Sequence, residues 1–191
     1  MKKFIIGFIL TLTSFDGFSC TDQEIDKLNQ KLSNFESLTM DFNEGNKFGK
    51  IYIKKPEMMR IDYELPQKIS IIIKDGVITY YDHQLDELTK IKQDPKFLTF
   101  LAKKNINFKK DFETFVCNKR GDEINLDLSI KGEDENIINI KMRFLQYNLN
   151  KADIYSDKKH RSTLFFKDLR YNKQLEIARF NFKDKSFYNI E

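Results

Sequence analysis

Residues 49–92 read GKIYIKKPEMMRIDYELPQKISIIIKDGVITYYDHQLDELTKIK, and the spacing of their apolar side chains decides the fold. Ile51 and Ile53, then Met59, Ile61 and Tyr63, then Ile69, Ile71 and Ile73 alternate with polar neighbours, the period-two pattern of strands that bury one face. Lys54-Lys55-Pro56 ends the first of these strands, and Asp75-Gly76, a favoured hairpin dipeptide, ends the third ahead of Tyr81-Asp82. Upstream, Leu38, Met40 and Phe42 alternate in the same way and stop at Gly45-Asn46. Downstream, Ile124, Leu126, Leu128 and Ile130 form one apolar face and Ile138, Ile140, Met142 and Phe144 the next, joined by a turn at Gly132-Glu133-Asp134-Glu135. Further strands are predicted over Lys151–Ser156, Arg161–Tyr171 and Phe180–Lys183.

Helical spacing occurs at two places. Thr21 and Glu24 have capping-box spacing, and Ile25, Leu28, Leu32 and Phe35 line one face, which predicts an amphipathic helix from about Asp22 to Phe35. Asp94-Pro95 ahead of Phe97, Leu98, Phe100 and Leu101 predicts a short second helix over Pro95–Lys104. The sheet must bury one face, and two amphipathic helices are at hand to cover it. No Pro/Gly/Ser-rich linker divides the chain, so residues 20–191 read as one domain.

Residues 1–19 read as a signal peptide. Lys2 and Lys3 precede an apolar run from Phe4 to Phe15, and Gly17-Phe18-Ser19 puts small residues where signal peptidase requires them. The run is shorter than the ~20 residues that cross a bilayer. Cys20 then has two readings. As a new N-terminus it is a site for a lipid anchor, giving a membrane-tethered envelope lipoprotein, although bulky Phe18 fits that signal poorly. Alternatively it pairs with Cys117, the one other cysteine, in a compartment where disulfides persist; geometry decides.

The chain has 33 basic and 29 acidic residues, and removing Lys2, Lys3 and Asp16 with the leader leaves 31 and 28, a net charge of +3. The signs are interspersed, and no basic stripe with interleaved aromatics points to nucleic acid. Lys103-Lys104 and Lys109-Lys110 read as solvated pairs near a helix end. No metal-binding spacing, nucleophile elbow or phosphate-cradling glycine loop occurs, so neither an enzyme nor a cofactor is expected. His83 and His160 stand alone, Cys117 reads as a buried thiol rather than a nucleophile, and Glu133-Asp134-Glu135 reads as a charged turn rather than a calcium site.

The order of these features resembles the LolA family of periplasmic lipoprotein carriers. Leu32 to Phe42 looks like that family's opening helix and first strand, with Glu44 where a glutamine is usual, and Lys54-Lys55-Pro56 resembles its basic turn ending in proline. Asp75-Gly76 to Tyr81-Asp82 resembles its hairpin, and Asp168-Leu-Arg-Tyr-Asn172 with Phe180-Asn-Phe-Lys183 its closing strand pair. The resemblance implies an incomplete antiparallel β-barrel under a helical lid, with an apolar cavity that takes the acyl chains of lipoproteins. The lining it implies is Leu32, Leu38, Met40, Phe42, Ile51, Ile53, Met59 and Ile61, with Met58 and Met142 adding adaptable thioethers. It also implies a monomer that touches membranes transiently, loading from an inner-membrane releasing complex and delivering to an outer-membrane acceptor. The family's lid-holding arginine is replaced by Lys55, so that role falls to Lys55 or to Arg60.

Overall fold

The computed structural model describes residues 18–92, 99–131, 137–155 and 161–182. Twelve strands form one antiparallel sheet. A first meander runs through β2 (Ser37–Glu44), β3 (Lys47–Lys54), β4 (Met58–Leu65), β5 (Ile69–Lys74), β6 (Val77–Asp82) and β7 (Glu87–Lys92). A second runs through β8 (Thr114–Arg120), β9 (Glu123–Lys131), β10 (Ile137–Leu145), β11 (Asn148–Tyr155) and β12 (Arg161–Tyr171). Pairing of β12 with β2 fuses the two, and the two-residue β1 (Phe18–Ser19) pairs with β8 at one edge. The opposite edge, β7, does not pair back to it, so the curled sheet stays open.

The alternation read from the sequence sets the register. Leu38 faces Ile53, Met40 faces Ile51, and these continue through Met59 and Ile61 to Ile73 and Ile71. In the second meander Leu126 faces Met142 and Ile124 faces Phe144, and Phe166 joins the two halves opposite Phe42. A slip of one residue would turn each of these side chains to the other face. The Asp75-Gly76 turn has φ of 52° and 70°, the positive pair that a tight hairpin requires. Gly49 is needed for a different reason: a Cβ there would stand 2.2 Å from the Asp62 carbonyl oxygen and 2.6 Å from the Phe42 ring.

One helix, α1 (Asp22–Ser33), lies on the apolar face, with Ile25, Leu28 and Leu32 buried. Its capping box forms as expected: Thr21 Oγ1 accepts from the Glu24 amide, and the Glu24 carboxylate accepts from the Thr21 amide. The helix stops two residues before Phe35, because Asn34 caps it by donating its amide to the Gln30 carbonyl. Of the helix predicted over Pro95–Lys104, residues 95–98 lie outside the described residues; Phe100–Ala102 is a 3-10 turn, and a one-turn helix, α2 (Phe108–Asp111), comes after it. Of the strand predicted at Phe180–Lys183, Lys183 lies outside the described residues and the rest is not a strand: Ile177–Phe180 is a 3-10 turn, and Phe180 is buried against Ile72 and Leu175 on the outer face of the sheet. A single large aromatic seated in an apolar patch anchors this segment without strand pairing. Among the described residues no helix is long and apolar enough to cross a membrane.

Candidate functional site

The eight residues read as cavity lining, Leu32, Leu38, Met40, Phe42, Ile51, Ile53, Met59 and Ile61, all lie in one apolar cluster between α1 and the sheet and are 0–8% exposed. Met142 belongs to the same cluster. Met58 does not, since the alternation of β4 turns it to the outer face beside Ile72, Leu175 and Phe180. The interior is filled as it stands by α1 and by Phe100, Leu101, Ile106, Phe108 and Phe112 from the segment before β8. Phe108 stacks on Phe112 and on Phe115, with centroids 6.1 and 6.0 Å away, and meets Phe100 at a tilt with the centroids 6.0 Å apart. Periodicity alone does not single out this aromatic group; its signal in the sequence is the density of phenylalanine between Phe97 and Phe115.

This cover is tied into one piece. The Ile106 amide donates to Ser33 Oγ at 2.9 Å, the Phe108 amide donates to Asn29 Oδ1 at 3.3 Å, and Lys109 Nζ meets Asp22 Oδ1 at 2.6 Å. Lys103 pairs with Asp111 at 2.8 Å. The two lysine pairs read as solvated are thus split, one member of each joined to a carboxylate.

α1 is attached to the sheet at both ends. Just before its first turn, Cys20 is disulfide-bonded to Cys117 of β8, with Cα atoms 5.4 Å apart, and Lys119 of β8 bonds the Glu24 carboxylate. Cys117 is therefore no lone thiol, and the Cys20 sulfur that a lipid anchor would need is occupied. At the other end the chain passes through Phe35 into β2.

Lys55 sits beside that second end. Its Nζ donates to the Leu32 carbonyl and, at 3.3 Å, to the Ser33 carbonyl, two carbonyls of the last turn of α1. It also lies 4.0 Å from the centroid of the Phe35 ring. A helix C-terminus presents unpaired carbonyls and the negative end of the helix dipole, so an ammonium there satisfies both. Burial pulls the Lys55 pKa down to about 8. Next along the turn, the Glu57 amide donates to the Ala102 carbonyl at 2.9 Å.

Arg60 points the other way. Its Nε donates to both oxygens of Asp62 at 2.8 and 2.9 Å, and its Nη1 donates to the Arg179 carbonyl at 2.9 Å, on the outer face. It makes no bond to α1. Its Nη2 also reaches Ser70 Oγ, which donates to Asp62 at 2.7 Å and lies 2.9 Å from His83 Nε2. Ser70 Oγ thus sits among Asp62, Arg60 and His83 on the outer face, away from α1. Among the described residues no group of three or more His, Cys, Asp or Glu gathers as metal ligands; His160 and Glu133-Asp134-Glu135 lie outside them.

Comparisons with known proteins point to one family. The family model for the outer membrane lipoprotein carrier protein LolA matches residues 37–183, from the start of β2 through the outer-face segment. The uncharacterized protein RP864 of Rickettsia prowazekii (strain Madrid E) is 24% identical over 135 residues, which are 67% of this chain but only 63% of that protein. A crystal structure of the LolA superfamily protein NE2245 from Nitrosomonas europaea superposes with a TM-score of 0.42 at 12% identity, over 85% of this chain and 98% of that one. With the family model covering well over half of its length, the chain belongs to the LolA family of outer membrane lipoprotein carrier proteins.

Proposed function

We propose that this protein carries lipoproteins across the periplasm, holding their acyl chains between α1 and the apolar face of the sheet. In this reading residues 1–19 are removed on export, which takes away β1 and leaves Cys20, still bridged to Cys117, as the first residue. The carrier takes cargo from an inner-membrane releasing complex and delivers it, as a monomer in transient contact with membranes, to an outer-membrane acceptor. Family membership supports the carrier role, and no catalytic or cofactor chemistry is required for it.

The observation that carries the reading is Lys55 bonded to the last carbonyls of a helix that covers a continuous apolar cluster. Transfer of acyl chains into water costs about 0.8 kcal/mol per methylene, so a carrier must shield them, yet it must also let them go. A lid that closes by two bonds from one cation does both. Loaded, the acyl chains displace α1 from the sheet; emptied, the lid falls back on its own apolar face and Lys55 re-forms its bonds. Closure thus favours release. The eight lining residues serve the ligand in the open state and each other in the closed one.

Purified protein should bind lipid-modified peptides in preference to the same peptides without acyl chains. Equal binding of the two would refute the reading. The tethered alternative requires a free Cys20 sulfur, and the mass of the mature N-terminus tests it directly: an unmodified, bridged Cys20 is expected.

A further inference from the structure

A cleft of about 630 Å³ opens at the Lys55 end of α1, and its charge is one-sided. Lys54 and Lys55 enter it from the end of β3, Lys104 from beyond the Phe100–Ala102 turn and Lys173 from beyond β12, while Glu36 is the sole carboxylate in the lining. Several other lysines are paired with carboxylates, as Lys50 is with Asp41, Lys103 with Asp111 and Lys119 with Glu24. These four form no ion pair with a described residue. Lys54 donates to the Leu175 carbonyl at 2.6 Å and Lys55 to α1, so the partners of both are neutral oxygens, and Lys104 and Lys173 are exposed. A concave site with low-dielectric walls and uncompensated like charges concentrates anions.

The cleft also has apolar lining, from Phe35, Pro56 and Leu175. Phe35 is also part of the cluster that contains the eight cavity residues. A ligand that fits both surfaces carries an anion at one end and hydrocarbon at the other. Ammonium groups arriving from three chain segments suit a head group with several acceptor oxygens pointing in different directions, as a phosphate has, better than a single planar carboxylate.

We propose that this cleft binds the phosphate of an anionic lipid head group whose acyl chains pass Phe35 into the interior. The acyl half of the proposal rests on the carrier reading, and the phosphate half does not. Acidic phospholipid is then a ligand of the same lid, entering at the Lys55 end.

The test titrates the protein with dihexanoyl phosphatidylglycerol, with dihexanoyl phosphatidylcholine of the same chains and no net charge, with inorganic phosphate, and with an uncharged diacylated peptide. Calorimetry reads each affinity for the parent and for the Lys104→Gln/Lys173→Gln double variant, both changes being at exposed positions. The glycerol lipid should bind about tenfold more tightly than the choline lipid, the preference shrinking with salt and falling severalfold in the double variant. Equal affinity for the two lipids overturns the proposal, as does a double variant that keeps the parental preference. Inorganic phosphate binding as tightly as the glycerol lipid also overturns it, since the site then takes a free anion. Binding of the uncharged peptide by the parent tests the carrier reading separately: its loss with the head-group preference intact refutes that reading and leaves the phosphate site standing.

Discussion

Replacing Lys55 by leucine should separate loading from delivery. The ammonium makes two bonds to the last turn of α1 and lies over the Phe35 ring. A hydrogen bond to a charged group contributes about 1.5–3 kcal/mol when well enclosed, and a cation beside a partly buried helix C-terminus up to ~2 kcal/mol. The side chain is only half-buried, burial of the ammonium offsets part of these bonds, as its pKa of about 8 records, and leucine restores some apolar contact with Phe35, so the closed state should lose a net stabilisation of at most about 2 kcal/mol. By the factor of ten per 1.36 kcal/mol, this shifts the balance of closed to open lid by at most roughly thirtyfold. Lys55→Leu should therefore load acylated cargo at least as well as the parent and pass it poorly to acceptor membranes. Lys55→Arg should deliver as well or better, because a guanidinium offers a fork of donors to the same two carbonyls. Loading is measured as affinity for lipid-modified peptide, and delivery as cargo recovered on purified acceptor membranes. Arg60→Leu is the control: Arg60 bonds the outer face, so delivery should persist while stability falls. Delivery at the parental rate by Lys55→Leu would refute the latch, and its loss in Arg60→Leu alone would move the functional cation to Arg60.

Four other outcomes rest on particular contacts. Gly49→Ala should lower the melting temperature by about 2–12 °C, since a Cβ 2.2 Å from a backbone oxygen forces overpacking that costs about 1–3 kcal/mol; an unchanged thermal scan would contradict the packing around Phe42. Ile61→Asp should abolish acyl binding by placing an unpaired carboxylate on the apolar face, and a folded variant with parental affinity would show that this face does not meet the ligand. The Lys55 pKa, lowered to about 8 by burial from the ordinary 10.5, means that the folded protein binds fewer protons than the unfolded one between these values, so stability relative to Lys55→Leu should rise as pH goes from 8 towards 10.5; denaturant curves showing a flat difference would mean that the two carbonyl bonds offset the burial. Cys20→Ser/Cys117→Ser should lower stability by about 2–5 kcal/mol, the bridge spanning 97 residues, and should speed amide exchange in the first turns of α1; parental exchange there would show that the bridge does not hold the helix.

Where the sequence carries the fold, it does so through period and turn chemistry. Strands β2 to β4, β9 and β10 are readable because each buries one face at period two, and the hairpin at Asp75-Gly76 because only certain residues tolerate φ of 52° and 70° in succession. Strand β8 leaves almost no such pattern, since only Cys117 of its residues is fully buried. The segment Phe180–Lys183 imitates a strand because two phenylalanines alternate with polar residues, whereas Phe180 is used as a single anchor on the outer face. Met58 has the chemistry of a cavity residue, but the alternation that puts Met59 inside turns Met58 out. Lys55 is legible as a basic residue before a proline, and its partners are not: the carbonyls it meets are 22 and 23 residues earlier in the chain, and nothing in a local pattern brings them together. The lysine-lined cleft is invisible for the same reason, being assembled from four separate segments.

The way α1 is attached constrains how it can move. Its first turn is joined to β8 by a covalent bridge and by the Lys119–Glu24 pair, neither of which yields to an apolar ligand pressing from below. Its body carries the segment from Phe100 to Asp111 along with it, through Ser33, Asn29 and Asp22. Contacts that hold this unit down at its far end include the Lys55 bonds to Leu32 and Ser33, the bond from the Glu57 amide to Ala102, and the bond from Lys31 of the last turn to Asn148 of β11 at 2.8 Å. The Lys55 and Glu57 bonds come from the turn at residues 55–57. α1 is thus held covalently at both ends, by the bridge to β8 and by the chain that runs through Phe35 into β2, and the contacts that can part are the hydrogen bonds between them. On the carrier reading, those bonds, among them the ones from the turn after β3 beside the cationic cleft, set how readily cargo enters.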